Sequence, residues 1–86
     1  MLSLHIIVRG RVQGVNFRSN AVHEARTLGV NGFVKNSDRD VEIEVEGDDT
    51  AVHKFLDWCK AGPAGARVMD VVVGEQKARN YKEFVI

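Results

Sequence analysis

The sequence predicts an α+β fold in which an antiparallel sheet carries two helices on one face. Three observations lead to this prediction. Short β-branched or alternating runs are typical of strands, a helical apolar period appears twice, and these segments follow the order β-α-β-β-α-β. Eighty-six residues leave room for little more than one sheet and two helices, so we expect a single domain over residues 1–86.

The first unit is a strand, a glycine-containing loop and a helix. A β-branched run over His5–Arg9 predicts strand one, which stops at Gly10. Residues 10–16 contain two glycines and suit neither a strand nor a helix. From Phe17 the apolar period becomes helical, and Gly29 is a typical helix stop. The predicted apolar face of this helix contains Phe17, Ala21, Val22, Ala25 and Leu28.

A hairpin follows the first helix. Residues Val30–Asn36 predict strand two, and a polar turn over Ser37–Asp40 leads into strand three. In strand three, valine and isoleucine at 41, 43 and 45 alternate with glutamate at 42, 44 and 46. This alternation predicts one buried face and one solvated face, with the three glutamates on the solvated side.

The last third of the chain predicts a second helix and two strands. Asp48 and Asp49 open the helix, whose core-spaced residues are Val52, Phe55, Leu56 and Cys59. Strand four is predicted over Val68–Val73, and Tyr81–Ile86 predicts a short fifth strand. The resulting order is the split βαβ, or ferredoxin-like, arrangement. That fold hosts many unrelated functions and does not decide the activity.

Charge and cysteine content exclude several classes of protein. Twelve Lys and Arg balance twelve Asp and Glu, which argues against binding to nucleic acid or to an anionic membrane surface. Cys59 is the only cysteine, so no intrachain disulfide can form and a reducing cytoplasm is the expected compartment. The N-terminus resembles no signal peptide, and no apolar run reaches membrane-spanning length.

The segment most informative about chemistry runs from Gly10 to Arg18. A loop before a helix start presents backbone N–H groups without partners, and the helix dipole adds positive potential there. Arg18 lies in the first turn, where a cation weakens the helix by up to about 1 kcal/mol. A guanidinium suits a phosphate, which it can bind through two oxygens. From the residues alone two interpretations remain open: a phosphate site, or a loop glycine followed by a solvated arginine.

Two motifs resemble the signatures of the acylphosphatase family. Gly10-Arg-Val-Gln-Gly-Val-Asn-Phe-Arg18 is similar to the first signature, which ends in the family's catalytic arginine. Gly32-Phe-Val-Lys-Asn36, together with Val41–Gly47, resembles the second signature. One departure concerns the turn after Asn36, which lacks the family's glycine and is one residue shorter. Since a shift of one residue would turn Asn36 to the other face, the register after Asn36 is left open.

The resemblance implies a hydrolase that cleaves acyl phosphates to a carboxylate and inorganic phosphate. Backbone N–H groups and Arg18 would hold the phosphoryl group, and Asn36 would orient the attacking water. The implied phosphate-binding residues are Gln13, Gly14, Val15, Asn16, Phe17 and Arg18. No metal, no cofactor and no covalent intermediate are implied. The expected partners are a small-molecule acyl phosphate and inorganic phosphate as product and inhibitor, and we expect a monomer.

The hydrolysis of an acyl phosphate needs few catalytic groups. The leaving carboxylate has a conjugate acid with a pKa of about 4 to 5, so it departs without a general acid. Phosphoryl transfer mainly requires positioning and stabilisation of charge on the equatorial oxygens.

Other reactive residues receive structural interpretations. Cys59 lies on the apolar stripe of helix two and is expected in the core. The three histidines lie in different elements without ligand spacing, so no metal site is expected. Arg9, Arg11 and Lys35 either add positive potential near the phosphate site or are ordinary solvated residues.

Three alternative functions are considered. A non-catalytic phosphate-binding or regulatory domain of the same fold is favoured by the irregular turn after Asn36. A ferredoxin-like nucleic-acid module is disfavoured by the zero net charge and by the presence of only six aromatic residues. A domain that processes carbamoyl phosphate, resembling the one at the start of larger maturation proteins, is disfavoured by the short chain.

Overall fold

The computed structural model describes all 86 residues. Its elements are β1 (Leu2–Arg11), α1 (Phe17–Leu28), β2 (Asn31–Ser37), β3 (Asp40–Gly47), α2 (Asp49–Ala61), β4 (Arg67–Glu75) and β5 (Phe84–Val85). This order confirms the predicted β-α-β-β-α-β succession followed by a short fifth strand. The longer helix, α2, has 13 residues, and no helix is long and apolar enough to cross a bilayer.

The strands form one sheet in the order β4-β1-β3-β2-β5. The pairs β1–β3, β1–β4 and β2–β3 are antiparallel, as predicted. The pair β2–β5 is parallel, with Gly32 opposite Phe84. The ferredoxin-like fold class is confirmed, but the sheet is mixed rather than wholly antiparallel. The reason is that the chain leaves β4 at one edge, crosses the sheet and joins the far edge running in the same direction as β2.

One face of the sheet packs against both helices. Alternate residues of β1, β3 and β2 are buried there because successive side chains of a strand point to opposite faces. The helices contribute one apolar stripe each. The buried residues of these stripes are Phe17, Ala21 and Ala25 in α1 and Val52, Phe55 and Cys59 in α2. Together with the strand residues they form a single cluster of 16 buried residues.

The opposite face of the sheet is partly covered by residues 76–83, which we call the crossing segment. Its main anchor is Glu46, only 2% exposed. The Glu46 carboxylate accepts the backbone N–H of Tyr81 at 2.6 Å, the backbone N–H of Arg79 at 2.8 Å and the Ser3 hydroxyl at 3.2 Å. The expectation that residue 46 lies on a solvated face is therefore wrong. A buried carboxylate is tolerated here because its oxygens accept three hydrogen bonds.

Glu44 is the second anchor of the crossing segment. Its carboxylate accepts hydrogen bonds from the Gln76 amide at 2.9 Å and the Tyr81 hydroxyl at 2.7 Å, and it pairs with Arg79 at 3.3 Å. Burial alone would raise the pKa of Glu44, but these donors outweigh it and hold the pKa below the usual value. Burial and the bond to Glu44 raise the pKa of Tyr81 to about 12. The crossing segment therefore covers part of the face of β3 that the sequence predicts to be solvated.

Candidate active site

A cavity of about 250 Å³ lies where β1 ends and α1 begins. It brings together six of the predicted site residues, which are Gln13, Gly14, Asn16, Phe17, Arg18 and Asn36. Val15 does not line it, and its side chain packs against the hydrophobic core. Val12, Ser19 and Ile86 complete the lining and were not predicted.

The loop before α1 presents a continuous set of free backbone donors. The first N–H of this region with a partner in the chain is that of Asn20, which donates to the Asn16 carbonyl at 3.1 Å. The N–H groups from Gln13 to Ser19 donate no hydrogen bond within the chain. Polar N–H groups that converge on a helix start favour an anion. The cavity therefore has donors suited to phosphate oxygens.

Two residues with positive φ shape this loop. Gly14 has φ 74° and Asn16 has φ 61°. A Cβ on Gly14 would meet no atom within 4 Å, so the glycine is needed for its backbone conformation and not for space. Asn16 tolerates the left-handed region better than most residues. Its carbonyl also accepts bonds from the Asn20 side chain at 2.8 Å and the Ser19 hydroxyl at 3.2 Å, which fixes the loop to the helix.

The two helix starts differ as the sequence predicts. At α2, the Asp48 side chain accepts the Thr50 N–H at 3.2 Å, and Asp49 adds an acidic group in the first turn. At α1, no side chain caps the helix and no acidic residue lies in the first turn. An exposed Arg18 stands there instead. The start of α1 thus keeps its positive potential for an external anion.

Asn36 lies on the helix-covered side of β2. Residues 34 and 36 share a face of the strand, and Val34 is fully buried in the core. The turn after Asn36 consists of Asp38 and Arg39, so that Ser37 pairs with Asp40 and Asn36 pairs with Val41. Asp38 adopts φ 54°, the conformation that the missing glycine would otherwise supply. The open question of register is thereby resolved, since Asn36 lines the cavity.

The Gln13 side chain connects the loop to this hairpin. Its amide nitrogen Nε2 donates to the Asp38 carbonyl at 2.8 Å and to the Asp40 carbonyl at 2.9 Å. The side-chain donor is therefore engaged by the protein, while the Gln13 backbone N–H remains free. Sequence spacing could not reveal this contact because the partners are 25 and 27 residues away.

None of the three cations near the motifs, Arg9, Arg11 and Lys35, lines the cavity. Lys35 belongs to the opposite face of β2, where its Nζ lies 3.5 Å from Glu42. Arg9 is on the same outer face and pairs with Asp40 at 3.5 Å. Glu42 also binds His5 at 2.6 Å, and this bond together with Lys35 holds the pKa of Glu42 below its usual value. The charges of Lys35 and Arg9 are thus paired with carboxylates on the outer face of the sheet.

Cys59 is fully buried in the core, which confirms its structural interpretation. Burial raises the pKa of its thiol, so the reactive thiolate is disfavoured. No group of three or more His, Cys, Asp or Glu side chains in the chain is placed to hold a metal ion.

Comparison with known proteins finds relatives over most of the chain. The family model described as Acylphosphatase matches residues 4–86. An acylphosphatase from Anaeromyxobacter sp. (strain Fw109-5) is 54% identical over 70 residues, covering 80% of this chain and 75% of the relative. An acylphosphatase from Methylococcus capsulatus is 41% identical, covering 100% of this chain and 96% of the relative. The crystal structure of acylphosphatase from Bacillus subtilis superposes with a TM-score of 0.96 at 40% identity, covering 100% and 98% of the two chains.

Proposed function

Since the chain belongs to the acylphosphatase family and hydrolyses acyl phosphates to a carboxylate and inorganic phosphate, we propose that Arg18 and Asn36 are its catalytic residues. The observation that carries this proposal is the cavity that joins Arg18 and Asn36 with Gln13, Gly14, Asn16 and Phe17, whose backbone N–H groups have no partner in the chain. In this proposal the loop and Arg18 hold the phosphoryl group, and Asn36 orients the water.

The loop and Arg18 supply electrostatic stabilisation. The equatorial oxygens of the phosphoryl group carry the charge of the transition state, and backbone N–H groups with a bidentate guanidinium are suited to hold them. A preformed set of donors requires no reorganisation during the reaction. Because the leaving group is a carboxylate, no general acid is needed at the opposite end of the reacting bond.

Asn36 supplies positioning. A carboxamide both donates and accepts hydrogen bonds, so it can hold a water molecule in one orientation without removing its proton. A phosphate oxygen of the substrate is then the acceptor of that proton. The short turn no longer favours a non-catalytic domain, because Asp38 preserves the register that places Asn36 in the cavity.

Turnover of benzoyl phosphate by the purified chain, with inorganic phosphate as inhibitor, tests the proposal. We expect hydrolysis, competitive inhibition by phosphate, and a melting temperature that rises with phosphate because the anion binds only the folded state. The matched variant is Arg18→Ala, which is expected to lose almost all hydrolysis and to show a smaller rise of melting temperature with phosphate. Phosphate inhibition that leaves the apparent KM unchanged would contradict a shared site.

We further propose that residues 1–86 act as one cytoplasmic, monomeric domain that binds no nucleic acid. The support is the single core of 16 residues, the lone buried cysteine and the zero net charge. Light scattering of the purified chain tests the monomer, since a mass of twice 9.6 kDa would contradict it.

A further inference from the structure

A second, shallower groove continues from the cavity along the surface of α1. It has a volume of about 380 Å³ and is lined by Ser19, Val22, Arg26, Val85 and Ile86. Ser19 and Ile86 also line the first cavity, so the two spaces meet at these residues. The groove is therefore an extension of the candidate active site and not an isolated surface feature.

The walls of the groove come from one helix strip and one strand. Ser19, Val22 and Arg26 are spaced i, i+3 and i+7 on α1, which puts them on one side of the helix over a length of about 10 Å. Val85 and Ile86 form the opposite wall. The Arg26 Nη2 donates to the Phe84 carbonyl at 3.4 Å, which holds the far end of the groove against β5.

We propose that this groove binds the acyl group of the substrate, and that the enzyme therefore favours acyl phosphates whose acyl group has an apolar body of several carbons. This inference rests on the proposed function, because the phosphoryl group must occupy the first cavity for the acyl group to enter the second. Apolar contacts with Val22, Val85 and Ile86 contribute affinity in proportion to the apolar area they remove from water.

The position of Asn36 agrees with this assignment. In phosphoryl transfer the attacking and leaving oxygens lie roughly in line on opposite sides of phosphorus. Asn36 lines the first cavity but not the groove. An acyl group in the groove therefore does not contact Asn36, which stays available to the attacking water.

The size of the acyl group decides how much of the groove is used. An acetyl group has one carbon beyond its carbonyl, and an aroyl group has a six-carbon ring there. Only the larger group has enough apolar carbons to reach beyond the first cavity and contact the near part of the groove. The expected consequence is a preference for aroyl over acetyl in the ground-state complex.

Binding of two non-hydrolysable phosphonates tests the groove independently of catalysis. The probes are 2-oxo-2-phenylethylphosphonate and 2-oxopropylphosphonate, which differ only in phenyl against methyl. By calorimetry or competition with inorganic phosphate, we expect the phenyl compound to bind the wild-type chain about tenfold more tightly. Equal affinities would overturn the proposal.

Isosteric variants locate the effect in the groove. Val22→Thr and Val85→Thr retain the β-branched shape, lie on different elements and should each reduce the phenyl preference by about threefold. The matched control is His23→Ala, an exposed position next to Val22 that lies outside the groove. A phenyl preference that persists in both valine variants would overturn the proposal that the groove binds the acyl group. If the wild-type chain binds the phenyl compound more tightly but hydrolyses no acyl phosphate, the groove proposal stands and the proposed catalytic roles are refuted.

Discussion

The side-chain nitrogen of Gln13 lies 2.9 Å from the carbonyl oxygen of Asp40, so the loop before α1 is bonded directly to the hairpin that carries Asn36. The same nitrogen also donates to the Asp38 carbonyl. The free backbone donors and the residue assigned to the water thus belong to two segments held at a fixed separation by one side chain.

Gln13→Ala is expected to lower kcat by removing this connection. Each lost hydrogen bond is worth about 1 kcal/mol, so the melting temperature should also fall by several degrees. If Gln13 acts through Asn36, the two substitutions will not be additive: Gln13→Ala should have little further effect on kcat in an Asn36→Ala background. Fully multiplicative losses of kcat would show that Gln13 acts elsewhere.

Arg18→Ala should lower kcat/KM for benzoyl phosphate by about a thousandfold, because the transition-state charge loses its guanidinium. The free energy of unfolding should stay the same or rise by up to about 1 kcal/mol, since a cation no longer opposes the α1 dipole. Arg18→Lys is the informative comparison, and we expect little recovery because an ammonium cannot bind two oxygens in one plane. Normal turnover in either variant would refute the central assignment.

Asn36→Ala should lower kcat by about a hundredfold while the inhibition constant for phosphate changes little. The phosphate ligands proposed here are backbone groups and Arg18, which this substitution leaves in place. Ser37→Ala is the control, because Ser37 is the next residue and lies on the other face of β2. A loss of phosphate affinity equal to that of Arg18→Ala would mean that Asn36 is a phosphate ligand.

Glu46→Gln is expected to destabilise the chain by about 1–3 kcal/mol, as measured by urea unfolding. The amide keeps the shape of the carboxylate but replaces one of the two oxygens that accept the N–H groups of Arg79 and Tyr81. Glu75→Gln, at an exposed position of β4, provides a control for the loss of one negative charge. Equal stabilities of the two variants would contradict the role of Glu46 as an anchor.

Glu44 makes the free energy of unfolding depend on pH in the acidic range. Its pKa is lowered in the folded chain from the ordinary value of 4.5, so the unfolded chain binds more protons in the range below that value. The contribution of Glu44 is therefore fully present above about pH 4.5 and is lost as the pH falls through the lower, folded pKa. Urea unfolding between pH 2 and pH 6 should show a shallower pH dependence for Glu44→Gln than for the wild type, and an identical slope would contradict it.

The sequence predicts most of the fold and the site because both rest on local patterns. Apolar periodicity locates the helices, and the glycine loop before a cation at a helix start locates the cavity that we propose binds phosphate. Ser19 and Ile86 escape prediction for different reasons. Ser19 is adjacent to Arg18 but carries no signal of its own, whereas Ile86 reaches the cavity only because β5 pairs in parallel with β2.

The burial of Glu46 escapes prediction as well. The alternation in β3 correctly places Glu46 on the face of the sheet opposite the helices. Whether that face is exposed to water depends on the crossing segment, which the alternation does not reveal. This segment has no periodic pattern from which its path could be inferred. Its hydrogen bonds join positions more than 30 residues apart.

The crossing segment has a kinetic consequence for the cavity. β5 is only two residues long and pairs with β2 at Gly32 and Phe33, so little of its backbone is protected there. Its amides should exchange with deuterium by local opening, well before the central strands β1 and β3 open. Such an opening would separate the wall formed by Val85 and Ile86 from α1, and it must also expose Phe84, which is only 1% exposed in the folded chain. We expect the hydrogen bonds of Glu46 to Arg79 and Tyr81, on the far side of the sheet, to slow this opening, so that the β5 amides should exchange faster in Glu46→Gln than in the wild type.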